Sequence, residues 1–320
     1  METKVFACFL KDKEELEKSS SGGLFTALSN SIFGNGGVVI ACKYECDKHI
    51  IEFCKASNEV ERDSMRGSKY IKADVTSLYT VLKQVVNEDT KLIMIVGTPC
   101  QIVGIKKWCE ANGISDERLI FVDLICHGVT SDKTWQEYVR LIETRYSERI
   151  VNITFKDKEK GWLRPTAKAK LESGKEILIE DYAMLYRSNS FMREACYNCP
   201  FASVERHSDI TIGDYWNYNS LKKEFVNMNG TSVAIINTEK GMRLFDNSKE
   251  YLDYCESSIN DCIQPNLVGP TKKGKQYRRL QKDYSKKGLE YIIDKYVYFG
   301  PGGKLTRKIR GKLFRSIYKQ

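Results

Sequence analysis

The chain has 320 residues, 42% of them hydrophobic and 29% charged, which suits one large or two modest folded domains with a buried core. No run approaches the length of a membrane-spanning helix, and the opening METKVFACFLKDKEELEK lacks the shape of a secretory signal, so a cytoplasmic protein is expected. The net charge of +9 is uneven, with much of the excess in TKKGKQYRRLQKDYSKK and KLTRKIRGKLFRSIYKQ within residues 271–320.

The first half alternates helix and strand signals. S-S-S-G-G opens a helix over Leu24–Phe33, G-N-G-G stops it, and Val38–Cys42 and Ile50–Ala56 follow as strands. R-G-S-K-Y is a loop leading to Ile71. Thr76–Val86 has helical apolar spacing, Lys91–Val96 reads as a buried strand, and Gln101–Cys109 as a helix after the Pro99 turn. Leu119–Leu124 is again a strand. Asp132–Tyr146 is a helix with Trp135, Tyr138, Val139 and Ile142 on one face. Helices between short buried strands predict an α/β fold, a mixed central sheet flanked by helices.

After about residue 150 the texture changes. Val151–Phe155, Thr166–Leu171 and Glu176–Ile179 read as strands of a β-rich insertion, which also carries Tyr182–Phe191 and the run C-Y-N-C-P. S-D-I-T-I-G-D-Y-W is a short strand, and Ser232–Asn237 with Glu239–Ser248 a last strand–helix pair. The expected division is an N-terminal α/β part over 1–150, a C-terminal part with the insertion over 151–255, and a basic helical tail over 256–320. That tail, with Tyr, Leu and Ile among its cations, suits an acidic partner, an anionic membrane surface touched peripherally, or simple solvation; no recognised nucleic-acid motif accompanies it.

Four of the eleven cysteines stand out. Cys196 and Cys199 form a C-x-x-C. Cys100 in G-T-P-C-Q and Cys126 in L-I-C-H-G each follow an apolar strand, where open α/β sheets bind their ligands. Four thiolates suit either an iron–sulfur cluster or a structural zinc ion. The remaining Cys8, Cys42, Cys46, Cys54, Cys109, Cys255 and Cys262 read as small buried hydrophobes.

Other motifs carry weaker signals. Ser20, Ser21, Gly22 and Gly23 begin a helix whose free N–H groups favour a pyrophosphate, or form a plain capped helix start. Arg66, Gly67, Ser68, Lys69 and Tyr70 offer cations, a flexible glycine and hydroxyls, suited to phosphate or to an ordinary solvent loop. Gly97, Thr98 and Pro99 precede Cys100 at a strand end. His127 beside Cys126 admits a nucleophilic Cys–His pair or a hydrogen bond to a ligand. Asp209 and Asp214 could orient a cofactor or close a turn, and Trp216 fits a core position.

Taken in order, S-S-S-G-G-L-F-T-A-L, R-G-S-K-Y, G-T-P-C-Q-I-V-G-I-K, D-L-I-C-H-G-V, C-Y-N-C-P-F and R-x-S-D-I-T-I-G-D-Y-W resemble the beta subunit family of coenzyme F420 hydrogenase/dehydrogenase, from about Val5 to about Phe245. The resemblance implies an oxidoreductase with FAD held by the 20–23, 66–70 and 97–99 segments, and one 4Fe-4S cluster on Cys100, Cys126, Cys196 and Cys199. It also implies a small-molecule substrate, with relatives in bacterial surface-polysaccharide gene clusters. The ferredoxin-like N-terminal segment that many relatives carry is absent from this sequence. Electrons are therefore expected to pass to or from a separate ferredoxin-like carrier or a partner subunit, drawn by Lys272, Lys273, Lys275, Arg278 and Arg279. Two other classes stay open: an electron-conduit subunit with no turnover alone, and a zinc-stabilised binding protein.

Overall fold

The computed structural model describes residues 2–298 apart from 89, 164, 223 and 224, so the basic run KLTRKIRGKLFRSIYKQ lies outside the described residues. The chain opens with β1 (Lys4–Leu10) and a short α1 (Lys13–Lys18), neither of which the sequence pattern separates. Then come α2 (Leu24–Gly34), β2 (Val38–Glu45), β3 (Ile50–Ala56), a short α3 (Glu59–Asp63), β4 (Ala73–Asp74) and α4 (Val75–Val85). The buried run Ile93–Gly97 is β5, followed by α5 (Pro99–Ala111), β6 (Leu119–Leu124) and α6 (Asp132–Tyr146). On α6 the expected face is the buried one: Trp135, Tyr138, Val139 and Ile142.

The second half contributes β7 (Ile150–Asp157), β8 (Thr166–Leu171), β9 (Glu176–Leu178), α7 (Glu180–Arg187) and a single turn α8 (Glu194–Tyr197) bearing the first cysteine of the C-x-x-C. β10 (Ile210–Asp214), β11 (Ser232–Ile236), α9 (Glu239–Ser248) and β12 (Leu252–Ser257) follow. Two single turns, α10 (Ile259–Cys262) and α11 (Pro265–Val268), lead to α12 (Tyr277–Ile292), which is interrupted at Gly288.

Nine strands form one mixed sheet in the order β12-β1-β11-β10-β6-β5-β2-β3-β4; β7, β8 and β9 form a separate antiparallel sheet. At the centre β2, β5, β6 and β10 run parallel, and the strands beyond them on both sides include antiparallel pairs. Alternation along each parallel strand feeds two cores. Ile40, Ile93, Ile95, Leu119 and Phe121 face α4, α5, α6 and the insertion. Val39, Met94, Val96, Ile120 and Val122 face α2 and α9. Sheet and helices thus make the expected α/β architecture.

The boundary expected near 255 falls inside β12, whose partner is β1 at the other end of the chain. The stretch expected as a basic tail also differs from a solvated helix, because Leu280, Leu289, Ile292 and Ile293 are buried in the core beneath α6 and α7. Its cations occupy only the outer face.

Candidate functional site: a cavity at the strand ends beside four thiols

A cavity of about 1420 Å³ opens at the carboxyl ends of the parallel strands. Ala41 and Cys42 of β2, Val96 and Gly97 of β5, and Ile212 to Asp214 of β10 share its wall with Leu124 to Gly128, at and beyond the end of β6. This is where helix dipoles and unpaired strand-end groups meet in an open α/β sheet. The volume exceeds that of an ordinary small-molecule site, so it accommodates a dinucleotide with room beside it.

Cys100, at the start of α5, and Cys126, just past the end of β6, both reach this cavity. The helix carrying Cys100 begins earlier than the sequence suggested. Pro99 occupies its first position, where a missing N–H costs nothing, and is itself buried away from the cavity. Thr98 precedes it, its N–H donating to Gln101 Oε1 at 2.8 Å and its hydroxyl lying 3.2 Å from Cys100 Sγ. Cys126 accepts the Gly128 N–H at 3.4 Å. Burial pushes its thiol up to about 12, and the nearby Cys100, Cys196 and Cys199 add to the rise. Burial also raises Cys196, with Cys100 and Cys199 among its neighbours. The four thiols therefore share one neighbourhood.

Close packing enforces that meeting. Gly128 has φ +101°, and a Cβ there would come within 2.8 Å of Met192 Sδ and 3.1 Å of Cys196 Cβ. Arg206 fastens the chain just beyond Cys199: it donates to the carbonyls of Phe201 (3.1 Å), Ser203 (3.2 Å) and Leu124 (3.1 Å), and pairs with the buried Asp123 at 2.9 Å. The end of β6 is thereby tied to the C-x-x-C segment. Sequence reasoning missed this pair, although Asp123 heads the run D-L-I-C-H-G-V and Arg206 the run R-x-S-D-I-T-I-G-D-Y-W.

Among the described residues, no three His, Cys, Asp or Glu side chains converge as a single metal ion requires. A tetrahedral zinc ion would hold four sulfurs only about 4 Å apart. In a cubane cluster each thiolate binds a different iron, so the sulfurs stand further apart. Four cysteines are a donor set that either a cluster or a zinc ion accepts.

The other end of the cavity is built from Ser20, Ser21, Gly23 and the 66–70 loop. Gly23 caps α2 without a side chain, leaving its first turn open towards the cavity. Gly22 does not line the cavity; a Cβ there would meet the Cys8 carbonyl at 2.4 Å and Ser232 N at 2.5 Å, so this glycine lets its own segment pack against the paired β1 and β11. Arg66 is braced by Glu15 and by Asp63 (2.8 Å), yet among the described residues its buried Nη1 has no hydrogen-bond partner. An orphaned guanidinium N–H at a cavity wall fits a phosphate oxygen. Gly67 and Ser68 lie beside it. Lys69 is differently employed: its ammonium donates to the carbonyls of Met65 (2.6 Å), Arg66 (2.9 Å) and Gly67 (3.1 Å), closing the loop on itself. Burial lowers it to about 8.

Aromatic rings line the remaining wall. Tyr70 stacks on Tyr186 at 4.4 Å, and Tyr186 donates to the Gly128 carbonyl at 3.1 Å. His127 lies 4.8 Å from Trp216, and burial lowers its pKa although Asp214 pulls the other way. Trp216 is 44% exposed at the cavity wall and not in the core. Asp214 pairs with Lys156, from the insertion. Asp209 is structural, accepting from the Phe121 N–H (2.8 Å) and the Thr238 hydroxyl (2.6 Å). Of the seven cysteines expected to be buried, Cys8, Cys109 and Cys262 are; Cys42, Cys46, Cys54 and Cys255 are half-buried.

No curated protein matches the chain. A chain in the xenon-derivatised F420-reducing [NiFe] hydrogenase complex of Methanosarcina barkeri shares its fold, with a TM-score of 0.55 over 93% of each chain and 16% identity. Among the described residues, no helix is long and apolar enough to cross a membrane. The family profile for the C terminus of the coenzyme F420 hydrogenase/dehydrogenase beta subunit matches residues 90–260, more than half of the chain and the whole stretch bearing the four thiols. On that match the chain belongs to the coenzyme F420 hydrogenase/dehydrogenase beta subunit family, a family of redox subunits.

Proposed function

We propose that the chain is an FAD- and 4Fe-4S-dependent oxidoreductase, exchanging electrons between a two-electron substrate in the cavity and a one-electron carrier or partner subunit. The observation that carries this reading is the shared wall: Cys100 and Cys126, two of four gathered thiols, line a cavity large enough for a dinucleotide and a substrate together. Bound there, a flavin supplies two-electron exchange with substrate and one-electron exchange with an iron–sulfur centre.

This chain's own residues do the placing. The open first turn of α2 at Ser20, Ser21 and Gly23 and the orphaned Nη1 of Arg66 suit the pyrophosphate, and Gly97 and Thr98 leave backbone exposed beside Cys100. Cys100, Cys126, Cys196 and Cys199 would hold the iron, and the Gly128 N–H and Thr98 hydroxyl tune the sulfurs they touch. Tyr70 and Tyr186 keep water from that wall. His127, half-buried at the cavity wall, is placed to offer a hydrogen bond to substrate, with Trp216 as its stacking surface. The role in surface-polysaccharide biosynthesis is carried by the resemblance alone.

Anaerobic purification tests the reading. Expected are FAD, four irons and four sulfides per chain, with broad visible absorbance that Cys199→Ser loses together with its iron. Colourless protein containing zinc would replace the reading by a zinc-stabilised binding protein. Cofactors present without turnover on any small donor would favour a conduit subunit.

A further inference from the structure

Between Gly269 and Lys287 the chain holds eight Lys or Arg residues and one acid, Asp283. All eight cations are exposed. Asp283 is already paired with Lys295 at 3.1 Å, so the stretch keeps a surplus of positive charge. Such a surplus on an ordinary helix face would only aid solubility. Its position argues for more.

The stretch is strapped across both sulfur-bearing segments. Thr271 donates to the His127 carbonyl at 2.8 Å, next to Cys126. Gly274 N–H donates to the Asn189 carbonyl at 3.0 Å, and a Cβ on Gly274 would overlap the Ser188 carbonyl. Lys273 pairs with Glu194 at 2.6 Å and lies over the rings of Tyr197 and Tyr277, flanking Cys196. These contacts neutralise Glu194, leaving Arg193, Lys272, Lys275, Arg278 and Lys282 to define the local field. Arg278 and Lys282 stand one turn apart on α12, facing outward together.

The geometry points to residues 269–282 as the docking surface for a small acidic one-electron carrier protein of the ferredoxin class, seated over the Cys196–Cys199 turn. This rests on the redox reading above and names its partner's landing site. Charge complementarity selects the occupant: a carrier that must arrive, deliver one electron and leave is served by steering through exposed, salt-sensitive charges and not by a large apolar interface. One electron would leave the carrier's reduced centre, and Cys100, Cys126, Cys196 and Cys199 would hold the iron centre that accepts it, with no atom transferred.

The full chain, holding iron and FAD, is mixed anaerobically with a reduced acidic ferredoxin in a stopped-flow instrument at low and high salt. A K275E/R278E/K282E variant is run alongside, and binding of fluorescently labelled oxidised ferredoxin is measured by anisotropy. Salt and the three reversals should each lower rate and affinity by about tenfold or more. Dithionite should reduce both proteins alike, with equal iron and flavin. Rates and affinities indifferent to salt and charge, in protein that ferredoxin does reduce, would overturn the surface while the redox reading stands. Charge-dependent binding with no electron transfer would uphold the surface and remove the redox reading. Binding to anionic vesicles but not to ferredoxin, lost in the same variant, would overturn the proposal in favour of a membrane contact.

Discussion

Gly128 shows how one missing side chain lets two distant segments meet. Its φ of +101° and the 3.1 Å approach of Cys196 Cβ leave no place for a methyl group. Gly128→Ala is expected to cost about 1–3 kcal/mol in strain and overlap and to lower iron content by displacing Cys196. Gly174→Ala is the control: φ is +86°, but nothing lies within 4 Å, so stability should fall while iron is retained. Equal iron in the two variants would separate Gly128 from the thiol cluster. The Arg206–Asp123 pair acts at the same scale. Arg206→Met strands a buried carboxylate, an expected loss of roughly 3–5 kcal/mol in urea unfolding. Replacing Asp123 as well, by Leu, should recover much of it, since apolar substitutes for a whole buried pair are often nearly neutral. No recovery would show that Arg206 matters for its carbonyl contacts with Phe201, Ser203 and Leu124 instead.

Among the elements, α1 has an attachment that depends on charge. It contributes a single buried apolar residue, Leu16, and is held towards the 62–66 segment by Glu15, which meets Arg66 and lies 3.7 Å from Arg62. Burial pushes the Glu15 carboxyl up, but its bonds to Arg66 and Lys18 outweigh that and leave it below its usual 4.5. Because the folded state binds this proton less readily than the unfolded chain, the stabilisation is complete above pH 4.5 and disappears as pH falls through the lowered folded value. Thermal melts of wild type and Glu15→Gln should therefore differ at pH 7 and converge as pH falls through the lowered folded value. A gap that persists in acid would assign Glu15 a packing role. At the other end of the chain, α12 owes its place to Leu280, Leu289 and Ile292 in the main core, while its cations face outward. An amphipathic helix of this kind is legible from its periodicity; that its apolar face seals α6 and α7 is not.

For the whole molecule the strand order decides cooperativity. β10 and β11, from the second half of the sequence, lie between β6 and β1, from the first, so the nine-stranded sheet belongs to neither half alone. One thermal transition, seen together by far-ultraviolet circular dichroism and tryptophan fluorescence, is expected, and residues 1–150 alone should not fold. Two separated transitions would restore the division near residue 150. Much of this fold was legible in the residues. The short apolar runs of β5 and β6, the apolar face of α6, and the four cysteines are local patterns, and local patterns follow from backbone geometry and side-chain periodicity. Three things belonged to tertiary structure alone. β1 and β12 became neighbours across most of the chain; Lys69, read as a loop cation suited to phosphate or to solvent, turned its ammonium onto three carbonyls of its own loop; and the basic stretch after Gly269 came to rest on Glu194 and Tyr197 beside Cys196. The reason is common to all three. Periodicity says which face of an element seeks burial, but the partner a strand edge, an ammonium or a charged face finds is set by chain segments far away in sequence.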